Sequence, residues 1–131
     1  MKVQRCEQHN IKLNSEFGEF IDNYCFKSKN LYNYANYIIR QEFIKNDRWI
    51  QYNELFHLVK DSDSYKDIGN NTGQGTLRIL DRAWKSFFVA IKDWKKNPNK
   101  YLGMPKLPKY KAKDGRFVLS LDSNKVKLID E

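Results

Sequence analysis

Hydrophobic residues recur at steps of three and four along much of this chain, which is the spacing of one face of an α-helix. The first such stretch follows Ser15, a residue type that caps helix N-termini, and Asn46-Asp47 ends it. The pattern predicts either one long helix or two helices with a break near Ser28–Asn30. Its apolar positions are Phe17, Phe20, Ile21, Tyr24, Cys25, Leu31, Tyr34, Ala35, Ile38, Ile39 and Phe43.

A second stretch, from about Thr72 to Lys96, predicts the clearest helix of the chain. Asn97-Pro98-Asn99 ends it, because proline cannot continue the helical hydrogen-bond ladder. Between the two patterns we expect a short helix from about Asn53 to Lys60 and a polar loop over 61–72. The apolar positions of the second stretch are Leu77, Leu80, Trp84, Phe87, Phe88, Ile91 and Trp94.

The two ends of the chain indicate β-structure instead. Residues 2–13 alternate loosely, and Arg116–Leu121 and Lys125–Ile129 flank the turn signal Asp122-Ser123-Asn124, which predicts a hairpin. Pro105 and Pro108 favour extended backbone between the long helix and this hairpin. The predicted fold class is α+β: a mainly helical lobe with a small antiparallel sheet that the N-terminal strand and the C-terminal hairpin form. The predicted segments are 1–14 (strand), 15–97 (helical lobe), 98–114 (basic Pro/Lys loop) and 115–131 (hairpin).

Charge is distributed unevenly over the 131 residues, a length that suits one domain. Residues 1–65 carry nine basic and nine acidic side chains, whereas 66–131 carry fifteen and seven, which is the whole net charge of +8. Lys92 to Lys113 contains eight lysines and one acid, Asp93. Such an excess is typical of a surface that binds phosphates. A solvated lysine loop without a partner and a membrane-surface site are the alternatives.

Residues that could carry catalysis or bind a metal are scattered. His9 and His57 do not have ligand spacing, and the cluster of Asp61, Asp63 and Asp67 lacks the Gly and Glu of a calcium loop. We therefore expect no catalytic residue, no metal and no cofactor. Cys6 and Cys25 are isolated, and no apolar run is long enough to span a membrane, so the expected location is the cytoplasm.

One further segment, Ser28–Tyr37, alternates tyrosines with amides. Tyr32, Asn33, Asn36 and Tyr37 have the chemistry to stack on bases and to hydrogen-bond to a nucleic acid. The alternative is an ordinary helix in which some of these side chains pack and the others face solvent.

Three segments resemble the N-terminal half of TnpB (OrfB) proteins, which insertion sequences encode. They are SKNLYNYANYIIRQ, QGTLRILDRAWKSFFVAIKDWKKNP and KYLGMPKLPKYKAKDGRF, and the resemblance spans about Val3 to Leu121. TnpB proteins are RNA-guided DNA endonucleases related to type V CRISPR effectors. The resemblance implies a helical recognition lobe inserted into a wedge β-barrel, which is incomplete here because its later strands would follow Glu131.

The family's RuvC-like nuclease domain, with its magnesium-binding acids, and its zinc ribbon both lie beyond the matched region. A natural truncated relative, an expressed fragment and a split product all fit this. We therefore expect a non-catalytic module, bacterial or phage-encoded, that holds guide-type RNA or an RNA–DNA duplex through backbone contacts. The residues expected to bind phosphates are Arg78, Arg82, Lys85, Lys92, Lys95, Lys96, Lys100, Lys106, Lys109, Lys111 and Lys113.

Two other functions stay open. The module could bind a full-length TnpB-like or type V CRISPR nuclease, or compete with one for its guide RNA, and so regulate or inhibit it. The strand Lys125–Ile129 would then offer an edge for pairing with a partner, or for self-association. An independent nuclease is the third function, and it requires clustered acids that the sequence does not show.

Overall fold

The structure is a computed structural model, and it describes residues 16–119. Helices make up 72% of this part of the chain. The elements in chain order are α1 (Glu16–Asn46), α2 (Tyr52–Val59), α3 (Asp63–Ile68), α4 (Asn70–Lys96) and a single 3₁₀ turn (Pro98–Lys100).

The predicted α+β fold class is wrong for this part of the chain, because residues 16–119 contain no strand. The part of the predicted strand that the structure describes, Arg116–Leu119, is irregular and lies against a helix. Its Phe117 N–H donates to the Cys25 carbonyl of α1 (3.1 Å), so a helix takes the place of a neighbouring strand. The predicted N-terminal strand (1–14) and the second hairpin strand (Lys125–Ile129) lie outside the described residues.

The helix predictions are largely confirmed. The first pattern forms one helix, which runs unbroken through Ser28–Asn30, and both α2 and α4 begin within two residues of their expected starts. The predicted loop over 61–72 is wrong, since it contains α3 and the start of α4. Ser62 caps α3 by accepting a hydrogen bond from the Tyr65 N–H (3.2 Å), and Ile68 is buried. A helix of six residues is too short for its periodicity to be recognised.

A tight corner joins α3 to α4. Gly69 has φ +95° and ψ 159°, a backbone conformation open in practice only to glycine. Four residues later, Gly73 lies directly against the Tyr65 ring, and a Cβ at this position would be 2.7 Å from the Tyr65 Cε2 atom. Gly69 is therefore required for the backbone conformation of the corner, and Gly73 for the close approach of Tyr65 to α4.

The two long helices lie side by side and run in the same direction. Ser28 Oγ and Thr76 Oγ1 are 2.8 Å apart, and eight residues further along both helices the Trp84 Nε1–H donates to Asn36 Oδ1 (2.9 Å). These two buried links are about 12 Å apart along the helix axes. Apolar packing surrounds them, with an aromatic cluster at the C-terminal end of α1. The cluster consists of Phe43, Trp49, Trp84, Phe87 and Phe88.

Candidate nucleic-acid interface

The chain returns along α1 after α4 as a segment without regular secondary structure, which we call the strap (residues 105–119) and which contains a turn at Lys113–Asp114. Its early part lies beside the C-terminal half of α1 and its end lies beside the N-terminal half, so the strap runs antiparallel to the helix. As expected from Pro105 and Pro108, residues 105–112 are not helical. The strap presents its main chain to α1, and α1 binds it with side chains.

Four polar side chains of α1 hold the first part of the strap. Arg40 Nη1 (2.8 Å) and Asn36 Nδ2 (3.1 Å) both donate to the carbonyl of Pro108. Asn33 makes a paired contact with Lys111, donating from Nδ2 to its carbonyl (2.9 Å) and accepting from its N–H at Oδ1 (2.8 Å). Lys29 Nζ donates to the Lys113 carbonyl. A helix face therefore does for the strap what a neighbouring strand does in a sheet.

The end of the strap is fixed by one buried hydroxyl and one ion pair. Ser28 Oγ donates to the Val118 carbonyl (2.9 Å), which extends the buried link with Thr76. Arg116 forms a bidentate ion pair with Asp22, donating from Nε to Oδ1 (2.8 Å) and from Nη2 to Oδ2 (3.1 Å). The hydrogen bonds from Arg116 hold the pKa of Asp22 below its ordinary value.

A few apolar side chains anchor the strap to the core. The rings of Phe117 and Tyr32 lie 4.3 Å apart between centroids, and Leu107 and Leu119 pack against the buried cluster. Burial raises the pKa of the Tyr32 hydroxyl. Most of the other strap side chains point outward, and all four of its lysines are exposed.

The predicted tyrosine–amide site divides in two. Tyr32, Asn33 and Asn36 contact the strap or α4, and both ends of the Asn36 amide are bonded inside the chain. These three side chains therefore have a role in the fold, and Tyr32 and Asn36 are buried. Tyr37 is 54% exposed and lines a shallow groove with Leu58 of α2, away from the strap contacts.

The predicted phosphate-binding residues are all exposed, and they form two lines. The first is the α4 stripe, which we define as Arg78, Arg82, Lys85, Lys92 and Lys96. Its steps of four, three, seven and four residues keep it on one helix face over about 27 Å. The second line is formed by Lys106, Lys109, Lys111 and Lys113 of the strap. Lys95 and Lys100 lie around the end of α4.

Most of these cations have no acidic partner in the part of the chain that the structure describes. Lys85 pairs with Asp81 (3.4 Å) and Lys100 with Asp93 (3.4 Å). Arg78 lies over the Tyr52 ring, and Lys111 lies over two rings, those of Tyr32 and Phe117. Within residues 16–119 no ion pair engages the other seven, which are Arg82, Lys92, Lys95, Lys96, Lys106, Lys109 and Lys113.

Asp93 is the single acid among the lysines, and its carboxylate is fully engaged. Tyr101 Oη donates to it, as do Asn97 Nδ2 (3.3 Å) and Lys100 Nζ. These hydrogen bonds, that of Tyr101 above all, hold the pKa of Asp93 below its ordinary value. Asp93 therefore fastens the turn after α4 to the helix.

The other side chains considered for chemistry are not brought together. His57 is exposed on α2, and Asp67 lies 3.7 Å from Lys27. No three His, Cys, Asp or Glu residues between 16 and 119 are grouped as a metal site would require. Cys25 is half-buried, and burial raises the pKa of its thiol. His9 and Cys6 lie outside the described residues.

Sequence reasoning missed three residues that position the strap: Ser28, Lys29 and Arg40. Lys29 is 3% exposed, and its ammonium lies 4.0 Å from the centroid of the Phe26 ring. A signal was present, because Lys29, Asn33, Asn36 and Arg40 follow one another at steps of four, three and four. A polar stripe at that spacing marks a helix face that binds something polar, which here is the strap's own backbone.

No family model, curated protein or solved structure matches this chain. The resemblance to TnpB proteins therefore stays a prediction, as does regulation of a related nuclease. The edge Lys125–Ile129 on which the regulatory function depends lies outside the described residues. No helix within 16–119 combines the length and the apolar character needed to cross a membrane.

Proposed function

We propose that this chain is a non-catalytic nucleic-acid-binding module that holds structured, guide-type RNA or an RNA–DNA duplex through the phosphate backbone. The observation that carries the proposal is the pair of basic lines on α4 and on the strap. All eleven cations are exposed, and nine of them, all except Lys85 and Lys100, make no ion pair within residues 16–119. Cations without acidic partners stabilise a protein little, but they bind phosphates strongly.

The way in which the strap is held supports this function. Because α1 binds the strap's carbonyls and one N–H, the strap needs few of its own side chains for docking. Lys106, Lys109 and Lys113 are thus displayed on a chain that is already ordered. A partner that binds them avoids most of the entropy cost of ordering a loop.

Nine of the eleven cations are lysines, which fits contacts to the phosphate backbone. Lysine ammonium groups are point charges, and contacts to phosphates give affinity without sequence readout. We therefore expect affinity for duplex or structured RNA that varies little with base sequence.

The test is the salt dependence of binding for two variants with equal loss of charge. The strap variant carries Lys106→Gln, Lys109→Gln and Lys113→Gln. The control carries Lys45→Gln, Lys60→Gln and Lys66→Gln, three exposed lysines outside both basic lines. Binding to a structured RNA and to an RNA–DNA hybrid is followed by fluorescence anisotropy between about 50 and 200 mM salt.

We expect the slope of log K against log salt to fall by about 0.9 for each phosphate contact that the strap variant loses. The control should keep nearly the wild-type slope. Equal slopes in the two variants would mean that net charge alone attracts the nucleic acid and that the strap is no interface. A flat salt dependence of the wild-type protein would overturn the proposal altogether.

A further inference from the structure

The loop between α4 and the strap projects two apolar side chains into solvent. Leu102 is fully exposed and Met104 is 59% exposed, and the residue between them is Gly103, beside which no atom lies within 4 Å of a Cβ position. We call residues 102–104 the tip. Neither side chain is packed against the core, and the two lie one residue apart on the same loop.

The structure holds the tip from both sides. On one side Tyr101 donates through Oη to Asp93 and through its N–H to the Pro98 carbonyl (3.3 Å), so the turn after α4 is closed. On the other side Leu107 packs against the core and Pro108 is bonded to α1. An apolar tip whose two ends are fixed is presented with little ordering cost on contact.

Lysines surround the tip. Lys100 and Lys106 flank it in the chain, and Lys95 and Lys96 lie in the last turn of α4, to which Tyr101 binds the loop. Lys100 pairs with the nearby acid, Asp93 (3.4 Å), so the cations near the tip that make no ion pair within residues 16–119 are Lys95, Lys96 and Lys106. The neighbourhood of the tip therefore attracts a polyanion and then offers it two aliphatic side chains.

We propose that the tip is a wedge that enters a base step of a base-paired duplex from the minor groove while the surrounding lysines hold the flanking phosphates. This inference rests on the proposed function and names the form of nucleic acid that the site takes. Aliphatic side chains such as Leu and Met are wedges in minor-groove binders, where they partly unstack and kink a duplex. Unpaired bases are held instead by stacking on aromatic rings, and residues 102–104 contain none.

A membrane surface fits the charges less well. A bilayer is a plane, and it would need the lysines to surround the tip in that plane, whereas most of them continue away from it along α4 and along the strap. Two aliphatic side chains also contain far fewer carbons than the single acyl chain that gives only marginal membrane binding. A linear polyanion can use both the tip and at least one of the lines.

The experiment uses a short DNA duplex and an RNA–DNA hybrid of one sequence, each with 2-aminopurine at every second step, so that unstacking at any register raises the fluorescence. The tip variant carries Leu102→Ser and Met104→Ser. The matched control is Val89→Ser, an apolar residue that is 69% exposed on α4 among the basic residues. Wild-type protein and the Val89→Ser variant should raise the fluorescence severalfold at saturation. The tip variant should bind with a similar salt slope and leave the fluorescence nearly unchanged.

Each other outcome contradicts the inference in its own way. If the wild-type protein binds both duplexes with the expected salt slope but leaves the fluorescence unchanged, the wedge is wrong and the proposed function stands. If the tip variant raises the fluorescence as the wild type does, other residues unstack the bases. The protein could also cosediment with vesicles of phosphatidylserine and phosphatidylcholine. If the tip substitutions abolish this cosedimentation but change neither duplex binding nor the 2-aminopurine fluorescence, the tip is a membrane contact and the wedge is wrong. No binding of either duplex at low salt would overturn the wedge and the RNA–DNA duplex as a partner, and it would leave structured RNA as the ligand to be tested by the salt-dependence experiment.

Discussion

The helix α1 makes two long contacts that are built on different principles. Toward α4 it packs apolar side chains, with the buried pairs Ser28–Thr76 and Asn36–Trp84 as polar links. Toward the strap it uses polar side chains that bind main-chain groups, with few apolar anchors. The first contact depends on the shape of both partners. The second contact involves the main chain of the strap, so the strap's outward side chains are not needed for docking and can vary to suit a binding partner.

Asn36 is the residue that belongs to both contacts, and its loss should have the largest effect. In the Asn36→Ala variant the buried Trp84 indole loses its hydrogen-bond acceptor, and the strap loses a donor at the Pro108 carbonyl. A buried donor left without a partner costs about 1 to 3 kcal/mol, and a small cavity adds to this cost. We expect urea unfolding to show a fall of about 3 kcal/mol in the free energy of unfolding.

The link to Trp84 can be isolated by a double-mutant cycle. Trp84→Phe removes the indole N–H, so it should cost about 1 kcal/mol less in the Asn36→Ala background than in the wild type. Additive effects of the two substitutions would show that the hydrogen bond does not connect α1 to α4 in solution.

Asn33 belongs to the strap contact alone, and its loss should be local. The Asn33→Ala variant removes both hydrogen bonds to the main chain of Lys111, which lie at the surface. The opening free energy of the strap should fall by about 1 kcal/mol, while the global free energy of unfolding changes by less than about 0.5 kcal/mol. Hydrogen exchange of the Phe117 amide, whose acceptor on Cys25 the substitution leaves in place, measures the first quantity, and urea unfolding measures the second.

The control for Asn33→Ala is Asn53→Ala, an exposed amide in the first turn of α2 that makes no hydrogen bond within residues 16–119. It should leave exchange at Phe117 unchanged. If Asn33→Ala lowers global stability as much as Asn36→Ala does, the strap and the helices unfold as one unit, and the two contacts of α1 are not independent.

The helices could be predicted from the sequence because each long one carries its own periodic apolar face. That the first part of the strap is not helical could be predicted too, since Pro105 and Pro108 restrict the backbone locally. The element against which the strap packs could not be predicted. Hydrophobic alternation in Arg116–Leu119 is the same for a segment that pairs with a strand and for one that lies on a helix, and only the distant residues of α1 decide between the two.

The same distinction between local sequence and distant contacts holds for the candidate site. Exposure of the lysines follows from their chemistry, so the basic lines could be predicted residue by residue. The amides Asn33 and Asn36 have equal capacity to bind a nucleic acid or a main chain, and their use depends on a segment about 75 residues away. The tip was missed because isolated apolar residues are unremarkable in sequence, and Leu102 and Met104 become informative only through their exposure.

The smallest effect that we predict concerns the ion pair at the far end of the strap. The pKa of Asp22 is lowered by the hydrogen bonds from Arg116, so the carboxylate stabilises the docked strap at every pH above the unfolded value of about 3.9. That contribution is lost as the pH falls through the lower, folded pKa. Protection of the Phe117 amide from hydrogen exchange, corrected for intrinsic rates, should thus stay constant from neutral pH down to about pH 4 and decline below it.

The Asp22→Asn variant, which lacks the charge, should show reduced protection at neutral pH and no such decline. The same acid response in both proteins would mean that other carboxylates control the strap, and that main-chain recognition by α1 holds it without help from Asp22.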